Sequence, residues 1–320
     1  LVLLATPPVF RPQHFSAAVE AGKHVLAESP VAVDSPGVRQ FLAASELAQQ
    51  RQLVVASGLT RRFDPAVQQT LEQLHRGAIG SMVMAQVYYH APLGKLTPRR
   101  KSQSELEFQL RNWQHFSWSS GESVVEQQVQ NLDVLSWLLG SHPVSARAIV
   151  GQHPLAPVDG EIPPGPTVEY TYGGGVKLLS MCGPSRGGWA DLSASVQGTE
   201  GWCDLATGKI YNGKNELVWQ ASSSGVNSCA ASVERLLLSA ADCEGLLLNP
   251  SGQEIRASFA ARGEGRLAAE STLAAILGRM ARQADGELSW AQCAASPHRL
   301  ANLEALQCLS APPPAVLANS

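Results

Sequence analysis

The sequence predicts an α/β unit joined to a larger α+β region, and two patterns within its 320 residues predict this fold class. Over residues 1–58, short apolar runs alternate with helical stretches, which is the pattern of a parallel sheet with crossover helices. From residue 144 to residue 219, β-type runs alternate with glycine and proline, which is typical of antiparallel hairpins. Hydrophobic residues make up 44% of the chain, enough for a core.

The first region is predicted to form about half of a doubly wound parallel sheet. Its three predicted strands cover residues 1–6, 24–27 and 53–58. The two predicted helices between them cover residues 13–21 and 35–50. Gly22 closes the first helix, and Ser35 is predicted as the N-cap of the second, with Pro36 in its first turn. The sequence has no counterpart of the first strand and Gly-rich turn of such a sheet. We therefore expect the chain to contain only the second part of the sheet.

The second region is predicted to be α+β with a mostly antiparallel open sheet. The predicted helices cover residues 65–75, 123–139, 229–248 and 267–283. A long strand is predicted at residues 81–90, and a hairpin turns at the three glycines 173–175. The proline-rich end of the chain cannot be helical and is expected to be frayed. We therefore predict domains at 1–58 and 59–310, followed by a disordered tail at 311–320.

Several segments, spread over nearly the whole chain, are similar to those of the Gfo/Idh/MocA family of NAD(P)-dependent sugar oxidoreductases. That family has A-T-P, E-A-G-K-H-V and E-K-P patterns early in the chain and an H-x-x-D pattern later. The matching segments are Ala5-Thr6-Pro7, residues 20–26, Glu28-Ser29-Pro30, residues 111–113, residues 125–133 and residues 271–280. The resemblance implies a Rossmann-type sheet, here partial, and a sugar or polyol substrate.

The resemblance also implies NAD or NADP as cofactor, held in part by the ends of the first two strands. The residues that it assigns to cofactor binding are Thr6, Pro7, Glu28 and Pro30. The Gly-rich turn that holds a pyrophosphate is missing from its usual place. One G-x-G-x-x-A match covers residues 263–268, but it follows no strand, and we interpret it as a flexible turn before a helix. Cofactor binding by this chain is therefore doubtful.

The family's catalytic lysine and histidine are both replaced in this chain. Ser29 stands at the lysine of E-K-P, and Gln130 stands at the histidine of H-x-x-D. Serine carries no charge, and a carboxamide does not titrate in water, although both form hydrogen bonds. Ser29 is either a structural remnant or a hydrogen-bonding group in a pocket. Asp133, the acid of H-x-x-D, is a weak base, a binding group or a surface acid.

Substrate contacts are predicted on the helix of Gln130 and on a preceding loop. Arg111 and Trp113 match the R-N-W of one branch of the family, and Gln127 lies with Glu126 on the helix. Such polar groups suit a polyol, although a solvated helix face explains the helical residues equally well. The histidines and the six cysteines lack metal-ligand spacing, so no metal site is predicted.

The first functional hypothesis is therefore an NAD(P)-dependent oxidoreductase for a sugar or polyol, truncated and catalytically impaired. The alternative is a degenerate relative that binds a carbohydrate or a protein partner without redox turnover. The net charge of −3 and the lack of a long apolar run predict no nucleic-acid or membrane partner. Both faces of the strand at 81–90 are largely apolar, which predicts a homo-oligomer through that sheet. A cytoplasmic location is expected, and an export signal cannot be judged from a chain that opens on Leu1.

Overall fold

The computed structural model describes residues 1–91, 94–149, 165, 167–184, 190–222, 225–243, 263–284, 286–306 and 308–314. A small sheet of three parallel strands begins the chain, in the order β1-β2-β3. Its strands are Val2–Leu4 (β1), Val25–Ala27 (β2) and Val55–Ser57 (β3). Helices Arg11–Glu20 (α1) and Ser35–Gln50 (α2) connect them. The predicted parallel unit is confirmed.

The predicted N-cap of α2 is wrong by one residue. Asp34 caps the helix, because its Oδ1 accepts a hydrogen bond of 2.8 Å from the amide of Gly37. The other carboxylate oxygen of Asp34 accepts from the amide of Leu300 at 2.9 Å. Aspartate and serine are both good caps, and the additional long-range bond favours Asp34.

The second sheet has nine strands in the order β11-β10-β9-β8-β4-β7-β6-β5-β12. These strands are Met82–Ala91 (β4), Ser145–Ile149 (β5), Thr167–Thr171 (β6), Lys177–Pro184 (β7), Ala194–Gly198 (β8), Gly201–Asp204 (β9), Lys209–Asn212 (β10), Leu217–Gln220 (β11) and Glu287–Ser289 (β12). Strands β4 and β7 pair in parallel, whereas the other neighbouring pairs of this sheet are antiparallel. The predicted mostly antiparallel sheet and the β6–β7 hairpin are confirmed.

The described helices of this region differ from the prediction by three additional short helices and by one break. They are Pro65–His75 (α3), Glu105–Arg111 (α4), Ser117–Ser120 (α5), Glu122–Glu126 (α6), Val129–Leu139 (α7), Ser228–Cys243 (α8), Glu264–Ala281 (α9) and Trp290–Ala295 (α10). The single helix predicted at 123–139 is wrong, because α6 and α7 are separated at Gln127 and Gln128. The buried amide of Gln128 donates to the carbonyl of Met181 on β7 at 3.0 Å, which fixes the break against the sheet.

The Gly-rich segment at 263–268 is not a flexible turn, as the sequence suggested, but the first turn of α9. A Cβ atom on Gly265 would lie 2.6 Å from Ser45 Oγ and 3.3 Å from Val55 Cγ1. The glycine therefore allows α9 to approach α2 and β3 closely. Helix α9 also packs against β5 and β6, so it lies in a core shared by both sheets.

The two faces of β4 lie in different surroundings. Ala85 and Val87 are buried in the core, whereas Met84 and Tyr88 on the opposite face are half-buried.

At the other end of the chain, residues 311–314 have no helix, as their prolines require. The rest of the predicted tail, 315–320, and the end of the predicted helix at 244–248 lie outside the described residues.

Candidate active site

Ser29 and Gln130, the two replaced positions, lie together in one hydrogen-bonded group. The Gln130 Nε2 atom donates to Ser29 Oγ at 2.8 Å and to the carbonyl of Gly58 at 2.7 Å. Ser29 Oγ donates to the same carbonyl at 3.2 Å. We call Ser29, Gly58 and Gln130 the neutral ring, since no side chain in it carries a charge.

Three elements position the neutral ring. Ser29 follows β2, Gly58 follows β3, and Gln130 lies in the first turn of α7. The carboxyl ends of parallel strands meet at one edge of a sheet, which is where α/β proteins bind ligands. A Cβ atom on Gly58 would lie 2.1 Å from Glu28 Oε2 and 2.8 Å from Glu28 Cα, so only glycine fits there.

The hydrogen bonds of the ring restrict its chemistry. Ser29 Oγ and Gln130 Nε2 both donate to the Gly58 carbonyl. Gln130 Nε2 uses its second hydrogen to donate to Ser29 Oγ. The Gln130 Oε1 atom is buried and has no hydrogen-bond partner among the described residues. Because neither side chain titrates near neutral pH, the ring can bind and orient groups but cannot take up a proton.

Asp133, one turn along α7, faces a different partner. Arg62 donates to both of its carboxylate oxygens, at 2.8 and 2.9 Å, and Ser271 Oγ donates to Oδ1 at 2.7 Å. The Asp133 side chain has no exposed surface. Of the alternatives that the sequence left open for Asp133, the surface acid is therefore wrong. Its surroundings are those of a structural ion pair.

Arg11, at the start of α1, links the predicted cofactor-binding residues. Its guanidinium donates to the carbonyls of Thr6 at 2.7 Å, Glu28 at 3.0 Å and Pro30 at 2.5 Å. Only 4% of Arg11 is exposed, and burial lowers its pKa to about 10. Pro7 lies in the same turn, next to Thr6. One cation thus holds the loops that follow β1 and β2.

Glu126, the last residue of α6, is a half-buried carboxyl whose charge interacts with that of Arg11. Burial raises its pKa, while a hydrogen bond from Gln114 at 3.5 Å and the charge of Arg11 act in the opposite direction. The same carboxyl raises the pKa values of Tyr89 and Cys182, after burial as the main cause. A carboxyl with a raised pKa is a candidate acid or base.

Of the three predicted substrate residues, Gln127 adjoins Glu126 in the chain, Trp113 adjoins the hydrogen-bond donor of Glu126, and Arg111 lies further along the preceding segment. Gln127 follows it directly, and its Oε1 accepts from Cys182 Sγ at 3.8 Å. Trp113 precedes Gln114, the hydrogen-bond donor to Glu126, and is half-buried. Arg111 ends α4, and its buried Nη1 atom has no hydrogen-bond partner among the described residues.

The chain fits an NAD(P) molecule only in part. The carboxyl ends of β1 and β2 offer Thr6, Pro7, Glu28 and Pro30, but the Gly-rich segment is packed inside α9 and cannot hold a pyrophosphate. Among the residues that the structure describes, no three His, Cys, Asp or Glu side chains form a metal-binding group. None of the described helices is long and apolar enough to cross a membrane.

Three residues that hold this edge of the sheet together were not predicted from the sequence. Gly58 and Arg62 follow the third strand, and Arg11 follows the first. Their position after a parallel strand is a signal that could have found them, because strand ends line the ligand edge. Nothing in the local sequence shows that Arg11 is buried, since arginine is usually exposed.

The chain is similar over part of its length to curated dehydrogenases. The chain is 28% identical over 137 residues to inositol 2-dehydrogenase 3 of Saccharopolyspora erythraea, covering 43% of this chain and 34% of that protein. It is 28% identical over 200 residues to trans-1,2-dihydrobenzene-1,2-diol dehydrogenase of Bos taurus, covering 61% and 52%. The match to the first of these thus spans about a third of that relative's length. No family model matches the chain.

Solved structures share the fold over most of the chain. The aldose-aldose oxidoreductase of Caulobacter crescentus, complexed with glycerol, has a TM-score of 0.65 at 18% identity and covers 90% of this chain and 78% of its own. The scyllo-inositol dehydrogenase of Lactobacillus casei has a TM-score of 0.58 at 17% identity, covering 91% and 79%. A small Rossmann-like parallel sheet followed by a larger mixed sheet is therefore the fold of this chain.

Proposed function

We propose that this chain is an NAD(P)-dependent oxidoreductase of the Gfo/Idh/MocA type that acts on a sugar or polyol with impaired turnover. The names of its relatives support the substrate class, since they include inositol dehydrogenases and an aldose-aldose oxidoreductase. A nicotinamide cofactor is supported by a neighbour in complex with NAD+. The chain contributes the ends of β1 and β2 to such a site.

The neutral ring is the observation that supports the proposal of impaired turnover. Oxidation of a carbinol requires a group that accepts the hydroxyl proton, and a positioned acid or base contributes about 10²–10⁴-fold to the rate. Ser29 and Gln130 hydrogen-bond each other and the Gly58 carbonyl instead. Both positions that serve the family in proton transfer are therefore without a titratable group.

In this proposal Glu126 acts as the acid or base in place of Ser29 and Gln130, which do not titrate. Its carboxylate accepts the proton of a substrate hydroxyl, and its raised pKa brings it closer to neutral pH than an ordinary glutamate. Gln127 and Trp113 bind the substrate beside it, and Arg111 offers the donors of its guanidinium. No step is assigned to Asp133, which is fully buried.

Two measurements on the 320-residue chain test the proposal. NADH titrated into the protein and followed by its fluorescence should show no saturable binding in the low-micromolar range, since the G-x-G-x-x-A segment is packed against α2 and β3. With inositols and aldoses at millimolar NAD(P), turnover should lie far below the roughly 10 s⁻¹ of a typical enzyme. The double substitution Ser29→Lys and Gln130→His should raise it. Turnover near 10 s⁻¹ in the unmodified chain would contradict the impairment.

The alternative is a relative that binds a carbohydrate or a protein partner without redox turnover. The neutral ring favours it too, because hydroxyl groups can be bound without proton transfer. Calorimetric titration with the same polyols distinguishes the two. Saturable polyol binding with no NAD(P) reduction, in both the unmodified chain and the Ser29→Lys, Gln130→His variant, would favour the non-redox function.

We also propose that the chain forms a homo-oligomer through the outer face of its nine-stranded sheet. Met82, Met84 and Tyr88 lie on this face of β4 and are half-buried. Apolar faces of this kind are usually covered in soluble proteins, and a closed two-fold pair is the simplest cover. Light scattering should report a multiple of the 34.0 kDa chain. Met84→Glu should lower that mass, whereas Val83→Glu, at an exposed residue of the same strand, should not.

A further inference from the structure

A cavity of about 290 Å³ lies at the end of α7 that is far from the neutral ring. This volume is near the lower end of the ~300–1,000 Å³ range of small-molecule sites. Gln130 and Gly140 lie at the two ends of the helix, about 15 Å apart at the helical rise per residue, so the cavity is separate from the cleft. It lies between the last turn of α7 and the first half of α9.

The charges on the wall of this cavity do not balance. Arg62 and Glu270 both line it, but Arg62 already forms its bidentate ion pair with Asp133, at 2.8 and 2.9 Å. Within the ranges that the structure describes, Glu270 pairs with Arg266 at 3.9 Å, and 71% of the Arg266 side chain is exposed, so water screens this pair. The last turn of α7 adds the partial negative charge of a helix C-terminus. The cavity is therefore electronegative.

The cavity also offers neutral hydrogen-bonding groups on side chains that are held in place. His142 lines it and stacks on Trp290, with ring centroids 4.0 Å apart. The His142 Nδ1 atom lies 3.0 Å from the carbonyl of Pro143, and because a carbonyl only accepts, Nδ1 carries the hydrogen and Nε2 of the neutral ring is an acceptor. Arg62 Nη1 forms no hydrogen bond in the part of the chain that the structure describes, so it can donate to a ligand hydroxyl.

Trp137 supplies an apolar wall. Its half-buried ring lies under the Arg62 guanidinium, with 5.0 Å between Arg62 Cζ and the ring centroid, and Leu267 adds an aliphatic side chain from α9. The face of an aromatic ring is negative, so it attracts the weakly positive C–H groups of a polyol carbon chain. The wall thus combines an apolar surface, acceptors and an unbalanced carboxylate.

We propose that this cavity is a second ligand site, which binds a hydroxylated amine of monosaccharide size. Its ammonium group donates to the Glu270 carboxylate, with His142 Nε2 as a further acceptor. Its hydroxyl groups bond to Arg62 Nη1 and to the Ser141 hydroxyl, while its carbon chain packs on Trp137. Hydrogen bonds between charged partners are about twice as strong as neutral ones, which favours an amine over a neutral polyol. The site is independent of the oxidoreductase function proposed above.

Two polyols that differ in one group test the site. Glucamine is a linear six-carbon polyol with a terminal ammonium group near pH 7, and sorbitol has a hydroxyl in its place. Each is titrated into the ¹⁵N-labelled full chain at low ionic strength, and the indole N–H signals of the seven tryptophans are followed by NMR. The Trp137 signal is assigned by its loss in Trp137→Phe. Glucamine should shift this signal saturably and bind about tenfold or more tightly than sorbitol.

Glu270→Gln removes the carboxylate and keeps the size of the side chain. In this variant glucamine should bind no more tightly than sorbitol, because the charge that distinguishes the two ligands has lost its partner. Glu72→Gln is the matched control, since Glu72 also forms an ion pair with an arginine four residues later, on the surface of α3. The control should bind glucamine as tightly as the unmodified chain.

Four results would overturn the second site. These are an unmoved Trp137 signal, equal affinities for glucamine and sorbitol, an equal loss of affinity in Glu72→Gln, and binding that is lost in Gln127→Ala but kept in Glu270→Gln. The last of these would place the amine in the cleft. The titration needs neither cofactor nor turnover, so a chain without oxidoreductase activity would leave the second site standing, and an active chain that does not bind glucamine would leave the proposed function standing.

Discussion

Helix α7 holds two hydrogen-bonded groups one turn apart, and they differ in charge. The neutral ring joins Gln130 to the segments after β2 and β3 without any charge. Three residues later, Asp133 forms a bidentate ion pair with Arg62, which also follows β3. Both groups connect the same helix to the same sheet edge. The comparison separates a neutral hydrogen-bonded contact at the carboxyl edge of the sheet from an ion pair whose carboxylate is fully buried.

The largest effect is expected from breaking the ion pair. Arg62→Met leaves the Asp133 carboxylate buried without its counter-ion, which typically costs about 3–5 kcal/mol. Chemical denaturation should report this loss in the free energy of unfolding. Arg76→Met is the control, because the Arg76–Glu72 pair is exposed, with 64% and 58% of the side chains accessible. That variant should change stability by less than about 0.5 kcal/mol, and equal losses in both variants would remove the distinction.

A smaller effect is expected from crowding the neutral ring. Gly58→Ala places a methyl group against Glu28, including its backbone Cα at 2.8 Å, and such overpacking costs about 1–3 kcal/mol. Gly213→Ala serves as the control, since its Cβ would meet only the Glu200 carbonyl at an ordinary 3.5 Å. Thermal unfolding of the two variants compares them. A Gly58→Ala protein as stable as the control would mean that the Glu28 side chain and backbone move easily.

The hydrogen bonds of the neutral ring are expected to contribute less than the ion pair. Gln130→Ala and Ser29→Ala should each destabilise the protein by about 0.5–1.5 kcal/mol per lost bond. Because the two side chains bond each other, the double variant should lose less than the sum of the single losses, with a coupling of about 0.5 kcal/mol or more. Strict additivity in a double-mutant cycle would show that the 2.8 Å contact contributes nothing to stability.

The smallest effect is expected in the pH dependence of stability. It comes from Glu264, whose carboxyl interacts with both members of the Arg62–Asp133 ion pair. Burial raises the pKa of Glu264 above 4.5, against a hydrogen bond from the Ser57 amide and the charge of Arg235. An acid whose folded-state pKa is raised adds stability below its unfolded pKa and loses it as the pH rises through the folded value. The unmodified protein should therefore lose stability relative to Glu264→Gln as the pH rises from 4.5. Parallel stability curves for the two proteins would contradict this.

Local sequence patterns predicted much of the fold correctly. The alternation of apolar runs and helices in residues 1–58 predicted the parallel unit, and the glycines at 173–175 predicted the β6–β7 hairpin. The resemblance also assigned Ser29 and Gln130 to one site, where they are now found in contact. The prediction failed at the break between α6 and α7, because a buried hydrogen bond from Gln128 to the sheet outweighs helical periodicity.

The sequence by itself determined the sheet types and the identity of the residues at the two replaced positions, because strand patterns, turn glycines and side-chain chemistry are local properties. Only the tertiary structure decided which partner each polar group meets. Ser29 and Gln130 are 101 residues apart, and Asp133 meets Arg62 and Ser271 across 71 and 138 residues. Such pairs form because the packing of α7 and α9 against the strands buries groups that then require a partner. The hydrophobic periodicity of the sequence does not identify these long-range partners.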